Sequence, residues 1–95
     1  MPTWKSAQLK HLAQALLSLK TEREVLSFLR DIATLEELEE LASRWDVALE
    51  LDKGKNYREI AKKTGISTAT ITRIAHWLNY GEGGYKIALN RRKKD

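Results

Sequence analysis

Apolar residues recur along most of this chain at intervals of three and four, the spacing of one helix face. Leu9, Leu12, Ala13, Leu16 and Leu17 form the first stripe and predict a helix from about Lys5 to Leu19, with Trp4 ahead of it as a packing anchor. Val25, Leu26, Phe28 and Leu29 predict a second, short helix that stops near Asp31 or Ile32. Leu35, Leu38, Leu41, Ala42, Trp45 and Leu49 predict the longest helix, running to about Leu51 with these side chains facing a core. Polar residues mark the starts: Thr21 with Glu24, and Thr34 with Glu37, have capping-box spacing. Glu36, Glu37, Glu39 and Glu40 then fall where the helix dipole favours negative charge. No histidine stands among them, so they read as a solvated acidic face and not as a metal or acid–base cluster. His11, beside the first stripe, reads as structural.

Residues 57–78 carry a different pattern, two short helices around a tight turn. Ile60 and Ala61 supply the buried side of the first, Gly65 the turn, and Ile66, Ile71 and Ile74 the buried side of the second. A small residue lets the helices approach, and glycine tolerates left-handed backbone, as a helix-turn-helix requires. Asn56 with Glu59 caps the first helix and Ser67 the second. Thr68, Ala69, Thr72, Arg73 and His76 are left on the outer face, small and hydrogen-bonding residues that suit a DNA major groove. Gly54 closes the third helix, and Lys53 and Lys55 stand at the entrance to the motif. Beyond Leu78, the segment Asn79–Gly84 is expected to be a glycine-rich loop long enough to let the last element move. Tyr85, Ile87, Ala88 and Leu89 are expected to make one or two helical turns before a frayed basic tail, Arg91–Lys94, that adds phosphate contacts without reading sequence.

The 95 residues are expected to make one domain, with residues 5–52 for dimerisation, 56–78 as the helix-turn-helix and 79–95 as loop and tail. Charge divides the chain unevenly. Residues 1–52 hold six lysines and arginines against ten acids, whereas residues 53–95 hold eleven against three. The basic half contains the helix-turn-helix, as a phosphate-facing surface would. There is no cysteine, which excludes disulfides, thiolate catalysis and cysteine-bound zinc. No apolar run is long enough to span a membrane and no signal-peptide pattern opens the chain, so the expected setting is cytoplasmic, without membrane association. Three leucine-rich helices on so short a chain point to a second copy that completes the core. A two-fold dimer also presents two recognition helices to successive major grooves.

Thr34-Leu35-Glu36-Glu37, Leu41-Ala42-Ser43-Arg44, Tyr57-Arg58-Glu59-Ile60 and Ala69-Thr70-Ile71-Thr72-Arg73 resemble the Trp repressor family, most closely its shorter YerC/YecD-type branch. The resemblance covers roughly residues 5–80, and Ala69–Arg73 is its most specific piece. It implies an all-α, intertwined helical homodimer whose helix-turn-helix units flank the dimer core. It also implies that Arg58 contacts guanine and that Thr68, Ala69 and Thr72 face bases or bridging waters. Ala61 replaces a DNA-contacting lysine of the repressor, so that contact is missing here. Arg44, Thr70 and Arg73 match residues that help bind the corepressor amino acid. Ile74, however, stands where the repressor has glycine, and its branched side chain is expected to fill the space of the corepressor's indole.

The expected function is sequence-specific binding of double-stranded DNA by a dimeric transcriptional regulator, a repressor, through a recognition helix at 67–78. Lys55, Arg58, Ser67, Thr68, Ala69, Thr72, Arg73 and His76 are the expected DNA contacts. Arg44, Thr70, Arg73 and Ile74 mark a candidate effector pocket. No metal or cofactor is expected, and Ile74 argues against tryptophan. The alternative is a helical protein-interaction module, which leaves the basic half and the turn chemistry without a use. Two histidines, no cysteine and no convergent acid–base set argue against an enzyme.

Overall fold

The computed structural model describes residues 4–93, and every regular element among them is an α-helix. In chain order these are α1 (Ala7–Ser18), α2 (Glu22–Ile32), α3 (Leu35–Asp52), α4 (Tyr57–Thr64), α5 (Thr68–Tyr80) and α6 (Gly84–Lys93). Local side chains fix most of the starts. The Ser6 hydroxyl accepts the Leu9 N–H at 3.1 Å. Thr21 accepts the Glu24 N–H at 3.1 Å, while the Glu24 carboxylate reaches back to the Lys20 N–H at 2.8 Å. Thr34 and Glu37 exchange bonds reciprocally, with the Glu37 N–H donating to Thr34 at 3.1 Å and the Thr34 N–H to the Glu37 carboxylate at 2.9 Å. Those bonds hold the Glu37 carboxyl below its ordinary pKa, the Thr34 backbone N–H contributing most. Each such cap satisfies N–H groups that the first helical turn leaves without partners.

The chain divides into two compact units, residues 1–38 and 39–95, with the division falling within the sequence of α3. Within the described part of the first unit no side chain is buried. Leu17 is 84% and Leu26 59% exposed, and Ile32 and Leu35 are also open. Amphipathic helices α1 and α2 thus form on schedule but have no core of their own.

The second unit has one. Val47, Ile60, Ile71 and Ile74 are fully buried together, with Leu51, Ala61, Ile66 and Tyr85 packed against them. Here α3 departs from expectation. Its long leucine stripe does not face this core: Leu41 and Ala42 are exposed and Leu38, Trp45 and Leu49 only half-buried. Val47 lies about 180° around the helix from Leu38, since successive residues turn by about 100°. So α3 has two apolar faces, and the shorter one, Val47 with Leu51, carries the helix-turn-helix.

The C-terminal segment also differs. α5 runs on through Tyr80, leaving three residues, Gly81–Gly83, as the connection instead of the expected loop over 79–84. The Asn79 amide donates to the Ala75 carbonyl at 2.9 Å within the helix. A Cβ at Gly81 would collide with the Trp77 carbonyl, so glycine is required at that stop. α6 then runs ten residues to Lys93 and is fastened by buried Leu89 and by Tyr85. Arg91, Arg92 and Lys93, expected to fray, form its last turn, where positive charge complements the helix dipole. Lys94 lies outside the described residues.

Candidate nucleic-acid interface

The helix-turn-helix begins with a Schellman-type stop. The Gly54 N–H donates to the Leu51 carbonyl at 3.0 Å and the Lys55 N–H to the Glu50 carbonyl at 3.4 Å, with Gly54 in the left-handed region at φ +82°. Asn56 then caps α4, accepting the Glu59 N–H at 2.9 Å while its own amide donates to the Glu59 carboxylate at 2.8 Å. α4 stops where the Gly65 N–H donates to the Ala61 carbonyl at 2.9 Å, with φ +77° at Gly65. A side chain at that φ is strained, which explains the glycine. Ser67 starts α5 by accepting the Thr70 N–H at 3.2 Å.

α5 has two sharply different sides. Ile71, Ile74 and Ala75 are buried, whereas Thr68, Ala69, Thr72, Arg73 and His76 are all exposed on one continuous face. Thr72 donates its hydroxyl proton to the Thr68 carbonyl at 2.9 Å, which fixes the rotamer and leaves the oxygen free to accept. His76 packs against Tyr80 with the rings tilted by 45° and their centroids 5.1 Å apart. Arg58 is exposed in the first turn of α4. Lys62, one turn further and also exposed, shares its row at i, i+4; it was not among the expected contacts, although its spacing from Arg58 is the signal that could have found it. Ser67 is exposed, its hydroxyl committed to the cap and 3.1 Å from that of Thr70.

Lys55 is placed otherwise. Its ammonium lies 3.2 Å from Oε2 of Glu50, a carboxylate only 6% exposed. Oε2 accepts no aligned hydrogen bond, so the charge on Lys55 compensates it without a directed one. Lys63 donates to Oε1 at 2.6 Å, and Lys53 lies 3.6 Å from the same oxygen. Sequence reading missed Glu50, although the signal was present: it lies three positions after Val47, toward the apolar side, and Lys53, Lys55 and Lys63 all follow within 13 residues. The Lys63 hydrogen bond, helped by Lys55 and Lys53, outweighs the burial that would raise its pKa and holds the Glu50 carboxyl at about 2. The same bond raises Lys63 above its ordinary value.

A depressed carboxyl pKa stabilises the fold fully above the unfolded value, 4.5, and that contribution disappears as pH falls from there through about 2. The melting temperature of the wild-type chain should therefore drop across that window. Glu50→Gln should flatten the drop, and an identical acid profile in the variant would show that other carboxylates cause it. For Lys63 the sign reverses: its contribution is complete below 10.5 and is lost as pH rises through the higher folded value.

The four residues of the candidate effector pocket do not share one environment. Ile74 is 1% exposed, inside the core with Val47, Ile60 and Ile71. Arg73 is exposed and Thr70 half-buried. The Arg44 guanidinium stacks over the Trp77 ring, 5.5 Å from its centroid. Nearby, Trp45, Trp77, Gly81, Gly84, Tyr85 and Ala88 line an open apolar cleft, in which Trp45 and Tyr85 stack with centroids 6.5 Å apart and planes 2° from parallel.

Comparison with known proteins agrees with this architecture along nearly the whole chain. The YerC protein of Bacillus subtilis (strain 168), itself uncharacterised, is 42% identical over 87 residues, spanning 92% of this chain and 84% of that one. The solved structure of a TrpR like protein from Eubacterium eligens ATCC 27750 is 42% identical and superposes with a TM-score of 0.87, covering 94% of this chain and 92% of its own. A second solved structure, from Staphylococcus aureus, gives a TM-score of 0.87 at 33% identity, over 96% of this chain and 91% of its own. No helix among the described residues is long and apolar enough to cross a membrane. The family model of the Trp repressor protein matches residues 7–93, from the first residue of α1 to the last of α6, and the chain belongs to that family of non-enzymatic regulators.

Proposed function

We propose that this chain is a sequence-specific DNA-binding transcriptional regulator, a repressor that works as a homodimer through α5. The observation that carries the reading is the division of α5 itself. Its buried side is committed to the core, while Thr68, Ala69, Thr72, Arg73 and His76 form a single outer face on a helix whose start is capped. Small and hydrogen-bonding side chains on that face let the helix backbone approach base edges in a major groove. Arg58 and Lys62 on α4 add positive charge beside it, for guanine and phosphate oxygens respectively. Ser67 contributes as the cap that sets where the face begins.

Gel-shift titration tests this directly. A duplex selected from random DNA should stay bound in excess scrambled duplex, and equal competition by both would sink the claim of sequence specificity.

Assembly as a dimer is supported by the first unit, in which none of the described residues is buried, and by the open leucine stripe of α3. A second copy packed on those faces would remove from water the apolar surface that one copy leaves exposed. Two recognition helices would then address half-sites about 34–36 Å apart, one turn of duplex. Light scattering at micromolar protein should give about twice the 10.9 kDa chain mass, and unfolding should depend on concentration. A fully helical monomer under those conditions would eliminate the two-copy core.

A further inference from the structure

If α4, Gly65 and α5 form the DNA-reading unit, something must fasten α4. This helix has eight residues, too few to be stable alone, and a single buried side chain, Ile60 at its middle. Its two ends project beyond that one anchor. Glu50, on the last turns of α3, meets both of them. Lys55, just ahead of the Asn56 cap, lies 3.2 Å from one carboxylate oxygen, and Lys63, in the last turn of α4, donates to the other at 2.6 Å. The Schellman bond from the Lys55 N–H to the Glu50 carbonyl, 3.4 Å, brings the chain back over Glu50 and makes the first of these pairings local.

We propose that Glu50 is a positioning residue for DNA reading: its buried carboxylate fastens both ends of the helix that carries Arg58, through Lys55 and Lys63, and keeps those two ammonium groups off the DNA backbone. The proposal rests on the DNA-binding reading of α4 and α5. A buried carboxylate left without its cations is costly, so the lysines are held in place by more than their mutual attraction in water. Lysines so held release few counterions from DNA, and nonspecific binding is weaker than the lysine count around the motif suggests. Arg58, by contrast, stays free to reach a base, on a helix that is fixed at both ends.

Glu50→Gln keeps the side-chain shape and removes the charge. On the duplex selected by the wild-type protein, affinity should fall about tenfold, within the range of one lost base contact. On a scrambled duplex it should rise, and the salt slope should steepen by about 0.9 for each ammonium that reaches a phosphate. Equal losses on both duplexes, in step with lower thermal stability, would make Glu50 structural only and overturn the proposal. Lys63→Gln alters a half-exposed head and gives an independent arm. It should weaken the selected duplex yet leave the salt slope on scrambled DNA unchanged; a slope flattened by about 0.9 would put Lys63 on a phosphate and overturn the proposal.

Amide hydrogen exchange needs no DNA. In either variant the amides of α4 should exchange about tenfold faster while those of Ile74 and Ala75 in α5 keep their protection, because the opening is local. Unchanged protection in α4 would overturn the fastening. A wild-type protein that prefers no duplex would instead defeat the DNA-binding reading, and the exchange result would then decide the fastening by itself.

Discussion

Replacing Ile74 with glycine should lower the free energy of unfolding by roughly 3–6 kcal/mol, the sum of an emptied core site and a helical glycine. Ile74 is 1% exposed and shares the core of the second unit with Val47, Ile60 and Ile71, so its removal leaves a hole among side chains from three helices. Domains of this size are stable by only about 5–15 kcal/mol, so the loss removes a large share of the total. Urea unfolding of variant and wild type side by side would measure it. A change below about 1 kcal/mol would mean that the site collapses around the loss and that Ile74 is not a packing residue.

The same burial bears on effector sensing. The Trp repressor that this chain resembles has glycine after the motif's last arginine, which leaves room for the corepressor's indole. Here a branched side chain belongs to the core, Arg44 is stacked on Trp77, and Arg73 is exposed. α5 is held by its own packing, with Ile71, Ile74 and Ala75 buried. Wild-type protein should therefore bind its preferred duplex without L-tryptophan, and calorimetry at millimolar ligand should give no binding heat. Operator affinity that rises with tryptophan would show room beside Ile74 and a working corepressor site.

Arg58→Ala should cost about 1–3 kcal/mol on the preferred duplex and relax sequence preference at one base pair. The side chain is exposed in the first turn of α4, and the Asn56–Glu59 cap does not involve it, so helicity and melting should be unchanged. A bidentate guanidinium on guanine discriminates against the wrong base, whereas one on a phosphate does not. Binding measured on selected and scrambled duplexes separates the two. Equal loss on both would move Arg58 from the reading surface to the backbone contacts.

Helix starts were legible in the sequence because their determinants are local. Thr21 with Glu24, Thr34 with Glu37 and Asn56 with Glu59 are each three residues apart, and in all three the cap side chain accepts the glutamate N–H as the spacing predicts. The two sides of α5 were legible for a similar reason, since Ile71, Ile74 and the outer threonines follow one period. What escaped was whatever depends on partners distant in the chain. α3 offers two apolar faces, and the richer stripe hid the shorter Val47–Leu51 face that the helix-turn-helix uses. Glu50 looked like one more acid in an acidic half, because its lysines come from the connection after α3 and from the far end of α4. α6 was read short because glycines at 81, 83 and 84 suggested a loop, while its hold on the core comes from Tyr85 and Leu89.

The stacked pair on that last helix also gives the molecule an optical signature. Tyr85 lies parallel to the Trp45 ring at 6.5 Å, close enough for the phenol to pass its excitation to the indole before it emits. With α6 docked, tyrosine emission from residue 85 should therefore be quenched, and two rings held in a fixed arrangement should give a near-ultraviolet dichroism that free rings lack. If α6 is released, the emission of Tyr85 and the dichroism of the stacked pair should change together. Detachment of the C-terminal helix thus reports itself in light.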